Sequence, residues 1–326
     1  MRRRRRFLGG IVAILAAPVV RAQPPRVLRV IGLSNSTPAA AAAYIKALED
    51  GFRELGYSPG RNIGIEHLYA EGNPERLPAL AAEIVRRKPD VIIAASNAET
   101  AAAKAATDSI PIVMGLGAGP VEAGLIATLS RPGANVTGNA TGASAQILGK
   151  WFELLREAKP GLKRAGVLWD PGVPGFNPFV SSLEEAARRF GIALRWVEVR
   201  RAEELDAALM RVAGERVEAL CVIANVLTFT FRHRIAAFVA EQRLPAISYN
   251  SEFAEAGLLM SHGADLLQLY KRSAVYADKI LKGSRPADLP VEQPNKYETV
   301  INLKAAKSLG LALPPSLLLR ADRTIE

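Results

Sequence analysis

At 326 residues, with 49% apolar and 23% charged residues, the chain is long enough for two domains with substantial cores and lacks the composition of a disordered protein. Its formal charge of +10 points toward nucleic acid, but Arg2 to Arg6 and Arg21 supply six of those charges; without them 36 basic residues face 32 acidic ones, a net of +4. The remaining charges alternate in sign along helix faces, as in KALEDGFRELG, which marks a solvated surface and argues against a nucleic-acid partner. The single cysteine, Cys221, excludes a disulfide framework and a cysteine-based metal site, and its apolar setting ALCVIA reads as a buried, inert thiol.

The first 22 residues read as a secretory signal. MRRRRR is a basic leader, FLGGIVAILAAPVV an apolar segment too short to span a bilayer, and VRA a small-residue cleavage site ending at Ala22. Arg4-Arg5-Arg6-Phe7-Leu8 also fits the twin-arginine pattern R-R-x-F-L, so both export routes stay open. No cysteine lies near the cleavage site to carry a lipid anchor. The expectation is a mature, unanchored periplasmic chain.

After the linker QPPR, VLRVIGL is a continuous apolar strand of the kind buried on both faces of a parallel sheet. Ser36 or Thr37 caps the helix that follows, with Pro38 near its first position. NIGIEHLYA, a helix over NPERLPALAAEIVRRK, and PDVIIAA come next. A short helix from Ala98 ends near Asp108, IPIVMGLG gives a fourth strand, GPVEAGLIATLSRPG a helix and turn, and ANVTGNATG a fifth strand.

A second unit opens near Ser144 with SAQILGKWFELLREAKPG and the strand RAGVLWD. It then repeats the order of the first, helix-strand-helix-strand, in NPFVSSLEEAARRFG, IALRWVEV, RAEELDAALMRVAGE and VEALCVIA. The first helix of each repeat ends at a glycine, Gly56 and Gly191, suited to a left-handed cap. LPAISY and GLLMSHG are further strands, ADLLQLYKRSAVYADKILKG is a long amphipathic helix ended by Gly283, and KYETVINLKAAKSLGL gives a last strand and helix.

Strands alternating with helices at this spacing predict an α/β fold with two doubly wound parallel-sheet lobes. The trailing elements suit a chain that crosses between lobes three times, near 141–144, 250–252 and 286–290. The expected division is a first lobe of 26–142 plus 252–286 and a second of 143–251 plus 287–326. Ligand groups then belong to loops after the carboxyl ends of strands, facing an interlobe cleft.

Those loops hold hydroxyls, amides and rings with few charges. The first lobe offers Ser34 and Asn35, Ser96, Asn97 and Thr100, Gly117, and Thr141; the second offers Asp170, Phe176, Asn177, Asn225, Tyr249 and Asn250. Ser96-Asn97 opening a helix suits a ligand carboxylate, and equally a plain N-cap. Asp170 either accepts from a ligand amine or caps the next turn. GLGAG follows the fourth strand instead of the first and is broken by Pro120, so it reads as a tight turn or a close backbone approach, not a dinucleotide loop. Phe176, Phe229 and Tyr249 can sandwich an aromatic ligand or belong to the core. His67, His233 and His262 have no metal spacing, and no nucleophile elbow or paired carboxylates suggest catalysis, so neither enzyme activity nor a cofactor is expected.

Several stretches, among them GFRELGYSPGRNIGIEHLYAEGNPERLPALAAEIVRRKPDVII, SRPGANVTG, ADLPVEQPNKYETVINLKAAKSLGL and PPSLLLRAD, closely resemble ABC-transporter substrate-binding proteins, in the subgroup that includes tryptophan- and tyrosine-binding receptors. The resemblance spans essentially the whole mature chain. It implies a type I periplasmic-binding-protein fold, a monomer that closes on a small aromatic or carboxylate-bearing ligand, and an ABC permease as partner. Asn225 stands where relatives often carry Asp, a departure that weakens the case for a bound ammonium group there. A receptor feeding a membrane signalling partner is the alternative; a DNA regulator of this fold would need a helix-turn-helix where the signal peptide lies.

Overall fold

A computed structural model describes residues 27–142, 145–172 and 177–326. The signal-peptide reading, Phe176 and the side chain of Asn177 lie outside what it describes.

The first lobe alternates β1 (Leu28–Ser34), α1 (Pro38–Glu54), β2 (Ile63–Tyr69), α2 (Leu77–Arg86), β3 (Val91–Ala94), α3 (Asn97–Ala106), β4 (Ile112–Gly117) and β5 (Val136–Ala140). Its sheet has the order β2-β1-β3-β4-β5, all parallel. Thr37 caps α1 as expected, its Oγ1 accepting from Ala40 N–H at 3.3 Å. The expected helix over GPVEAGLIATLSRPG does not form: Gly119 and Gly124 take φ of +51° and +68°, so the segment closes isolated turns such as Ala123 N–H to Gly119 O (2.9 Å).

The second lobe contains α4 (Ala145–Ala158), β6 (Arg164–Trp169), α5 (Asn177–Arg189), β7 (Ala193–Glu198), α6 (Leu205–Gly214), β8 (Ala219–Val222), α7 (Val226–Thr230), α8 (Arg232–Glu241), β9 (Ala246–Ser248), α9 (Ser251–Ala256) and β10 (Met260–Ala264). The chain then forms α10 (Leu266–Leu281), β11 (Tyr297–Asn302), α11 (Leu303–Ser308), α12 (Pro315–Leu318) and β12 (Arg323–Ile325). The second sheet runs β12-β11-β10-β9-β8-β6-β7, parallel except where β11 lies antiparallel to β10. That reversal and the terminal strand β12 were not visible in the alternation of strands and helices. Gly56 and Gly191 both take positive φ, +85° and +65°, at the ends of the equivalent helices α1 and α5.

Each sheet is packed on both faces. The first buries Ile31 on one side and Phe52 on the other; the second buries Phe152 and Phe253. All four are 0% exposed, and each such burial contributes about 1.5–3 kcal/mol.

Sheet membership moves two of the expected crossings. β10 pairs with β9 and β11, so the chain leaves the second sheet after Ala264, not near 250–252. It enters α10, whose Tyr270, Ala274 and Ala277 pack with Leu48 and Phe52 of α1. Glu292 then lies along the edge of β5: its N–H donates to Gly138 O (3.1 Å) and Ala140 N–H donates to Glu292 O (2.8 Å). The return to β11 therefore follows Glu292, later than 286–290. Backbone donors at an apolar strand or a sheet edge must be paired, and the hydropathy of GLLMSHG does not say with which sheet.

Candidate functional site

The carboxyl ends of both sheets face one cleft of about 810 Å³, within the size of small-molecule sites, roughly 300–1,000 Å³. Of the expected residues it is lined by Ser34, Asn35, Ser96, Asn97, Thr141, Asp170, Asn225, Tyr249 and Asn250. Thr100 and Gly117 are not on the lining. Thr100 is 0% exposed and donates its hydroxyl to Ser96 O (2.7 Å), one turn back in the helix. Gly117 is buried, and a Cβ there would lie 2.5 Å from the Met114 sulfur, so its role is packing.

On the first wall the polar side chains largely serve the backbone. Ser34 Oγ accepts from Ser36 N–H (3.1 Å) where β1 runs out. Asn97 donates Nδ2–H to Ala118 O (2.6 Å) and accepts from Ala118 N–H (3.0 Å), which pins the exit of β4 against the start of α3. Thr141 N–H donates to Gly117 O (2.7 Å) at the first crossing. Ser96 opens α3 in a capping box with Glu99. Glu99 Oε1 accepts from Asn35 N–H (2.6 Å), and Oε2 accepts from Ser96 N–H (3.1 Å) and from the Ser96 hydroxyl. The helix start expected to await a ligand carboxylate already faces one of the chain's own.

On the second wall Asn225 caps α7, its Oδ1 accepting from Thr228 N–H (2.8 Å), and its Nδ2 donates to Asp170 Oδ2 (3.3 Å). Asp170 Oδ1 accepts from Gly172 N–H (2.8 Å), so it caps its turn and also faces the cleft. Burial pushes the Asp170 carboxyl above its usual range. Tyr249 donates its hydroxyl to Ala224 O (3.0 Å). Asn250 Oδ1 and, on the first wall, Asn35 Oδ1 are buried with no hydrogen-bond partner.

An aromatic chain bridges the walls. Tyr44 of α1 meets Tyr270 of α10 edge-on at 5.6 Å and Phe229 of α7 at 6.3 Å, and Phe229 meets Phe253 of α9 at 6.2 Å. The Arg232 guanidinium lies 4.6 Å from the Phe229 ring centre. Tyr44 also donates its hydroxyl to Glu252 Oε1 (3.0 Å), a bond from the first lobe to the second. Burial, with the neighbouring Glu252, raises the Tyr44 pKa; burial likewise raises that of Glu252. Sequence reasoning missed Tyr44 and Tyr270, which lay within expected helices, and Glu252, which lay in an expected crossing near 250–252 where the structure has α9. It also missed Glu99, although S-x-x-E at a helix start was there to be read.

His262 does not line the cleft; its Nδ1 lies 2.9 Å from Thr299 Oγ1 in the buried join of β10 and β11. Among the described residues no group of three or more His, Cys, Asp and Glu side chains could hold a metal ion. Nor is any described helix long and apolar enough to cross a membrane.

Residues 35–325 match the family model of the ABC transporter substrate binding protein. The chain belongs to the ABC transporter substrate-binding protein family. Among its relatives is a tyrosine-binding protein of Clostridioides difficile, 29% identical over 286 residues, which cover 86% of this chain and 81% of that one. A conserved domain protein of Vibrio cholerae has a solved structure that superposes with a TM-score of 0.86 at 27% identity, covering 92% of this chain and all of the other. The structure of an ABC domain in complex with L-Trp from Streptococcus pneumonia superposes at 0.85 with 22% identity, over 92% of this chain and all of that one, and shares the fold. The two lobes, one sheet wholly parallel and the other parallel but for β11, thus have the fold of these solved structures.

Proposed function

We propose that this chain is the extracytoplasmic solute receptor of an ABC importer, a monomer that closes on a small ligand in the interlobe cleft and presents it to an inner-membrane permease. The observation that carries this reading is the cleft itself, set between the carboxyl ends of two sheets and walled by Tyr44, Phe229, Tyr249 and Tyr270. Such walls favour a ligand with an aromatic or apolar body. The tyrosine named for one relative agrees with that choice. The lobes in this reading are 27–142 with 265–292, and 145–264 with 297–326. The three connections between them form the hinge, and the bond from Tyr44 to Glu252 forms across the closed cleft. Export through the N-terminal signal would place the mature chain in the periplasm.

A thermal-shift screen of aromatic amino acids, aromatic amines and aromatic acids on the mature protein tests the reading, because a ligand bound only by the folded state raises the melting temperature. Small-angle scattering with a saturating hit should give a smaller radius of gyration. Identical scattering curves, or chemical conversion of the ligand, would count against a closing receptor.

A further inference from the structure

Beside the crossings between the lobes the cleft adjoins a smaller space, a notch of about 20 Å³. Ala118, Thr141, Tyr249 and Leu266 line both. All three connections between the lobes reach the notch: Thr141 opens the first, Ala264 and Leu266 flank the second, and Tyr297 ends the third. That volume admits one methyl-sized group, or a single water, which needs about two to four polar partners. Among the described residues the polar side chains of its wall are Thr141, Tyr249 and Tyr297. Each hydroxyl donates to the carbonyl of a residue off the wall: Thr141 to Gly117 O (3.3 Å), Tyr249 to Ala224 O (3.0 Å) and Tyr297 to Gly142 O (3.1 Å). The rest of the wall is apolar, from Ile147, Leu148, Ala264 and Leu266. A water is poorly served there and an apolar group well served. The wall is also fixed in shape, since a Cβ on Gly263 would lie 2.1 Å from Tyr249 O, a close approach of backbone that leaves no slack.

Resting on the receptor reading above, we propose that this notch sets ligand specificity: it seats one methyl-sized apolar group at the far end of the ligand's ring and disfavours a hydroxyl there. Tyr249 links the two spaces, because it stands in the aromatic wall of the cleft and in the wall of the notch at once. A ring lying against it brings its edge to the notch. The ligand class is accordingly a para-alkylated aromatic, methyl-ended and not phenolic. Burying one methyl group is worth about fourfold in affinity. A hydroxyl in the same place gives up water for walls whose own hydroxyls are already engaged.

Calorimetry with three sets of probes, each sharing one head group, tests this: phenylalanine, 4-methylphenylalanine and tyrosine; 3-phenylpropionate with its 4-methyl and 4-hydroxy derivatives; and phenethylamine with the same two derivatives. In whichever set binds, the wild-type protein is expected to hold the methyl member about fourfold more tightly than the unsubstituted one. The hydroxyl member is expected to bind at least about tenfold more weakly than the methyl member. Ala264→Val adds bulk to the notch and is expected to bring the ratio of methyl to unsubstituted affinity to about one. Ile147→Ala, at a half-buried position of α4, widens the notch and is expected to extend the preference to a 4-ethyl member. A wild-type preference for the hydroxyl member, or a methyl ratio that neither variant moves, overturns the inference and leaves the receptor reading standing. Failure of every probe to bind at millimolar concentration counts against both the inference and an aromatic-binding receptor.

Discussion

Two helices start at the cleft in equivalent places of the internal repeat, α3 after β3 and α7 after β8, and both are closed by a capping box. In the first lobe the third helical residue is Glu99; in the second it is Thr228, whose hydroxyl accepts from Asn225 N–H (2.9 Å) and donates to Ile223 O (3.0 Å). The backbone problem is the same in both, a set of N–H groups with no partner within the helix. The solutions differ by one functional group. A carboxylate puts a buried negative charge at the first helix start, while a hydroxyl leaves the second helix start neutral, with Asp170 beside it. Local capping thus sets the charge at each helix start.

The largest effect that would sharpen this comparison is expected from acid, because each lobe carries a histidine withdrawn from water, His262 buried outright and His67 half-buried with its Nε2 shielded. Burial lowers the His67 pKa from 6.5 to about 4 in the first sheet, and burial, with a smaller contribution from Lys150, does the same to His262 in the second. A folded-state pKa below the unfolded value means that the neutral ring stabilises the fold above about pH 6.5, and that this stability is lost as pH falls toward about 4. Melting temperature is therefore expected to fall across that window. His67→Gln and His262→Gln should each flatten part of the fall; a flat wild-type profile from pH 7 to 4 would contradict the burial of both rings.

Next in size is the pair of caps. Glu99→Ala leaves the half-buried Asn35 N–H and the start of α3 without their acceptor, and is expected to cost about 1–3 kcal/mol of stability. Thr228→Ala removes neutral hydrogen bonds at a five-residue helix and is expected to cost about 0.5–1.5 kcal/mol. Urea denaturation of the two variants measures both. Equal losses would mean that the two helix starts are energetically alike and that the comparison has no physical content.

The smallest effect should come from Tyr44→Phe, which keeps the ring contacts with Phe229 and Tyr270 but removes the hydroxyl bonded to Glu252. Since that bond joins the lobes, its loss should weaken ligand binding by about two- to tenfold and leave the unliganded melting temperature nearly unchanged. A drop in unliganded stability with unchanged affinity would make the pair an ordinary packing contact.

Much of the fold could be read along the chain because its signals are local. Apolar strands, the Thr37 cap, the glycines at 56 and 191 and the repeated helix-strand order each depend on a few neighbouring residues. The loops after the strands could be named for the same reason, once the fold was taken as doubly wound. What those loops' side chains do could not be read so well. Asn97 lines the cleft as expected and also holds Ala118 with two hydrogen bonds, a second role the sequence did not show, because an amide beside a strand exit has a backbone partner whose position depends on folding.

The sequence by itself determined two α/β units, their strands and the ends that face a ligand, since periodicity and capping act over one or two turns of chain. Only the tertiary structure decided that β10 joins the second sheet, that β11 reverses direction, and that Tyr44 and Glu252, 208 residues apart, meet across the cleft. An apolar strand carries no label for its partner sheet. A tyrosine on an amphipathic helix reads as core whether it faces a sheet or the opposite lobe. Those choices depend on which long-range pairing satisfies the most backbone groups and buries the most apolar surface at once.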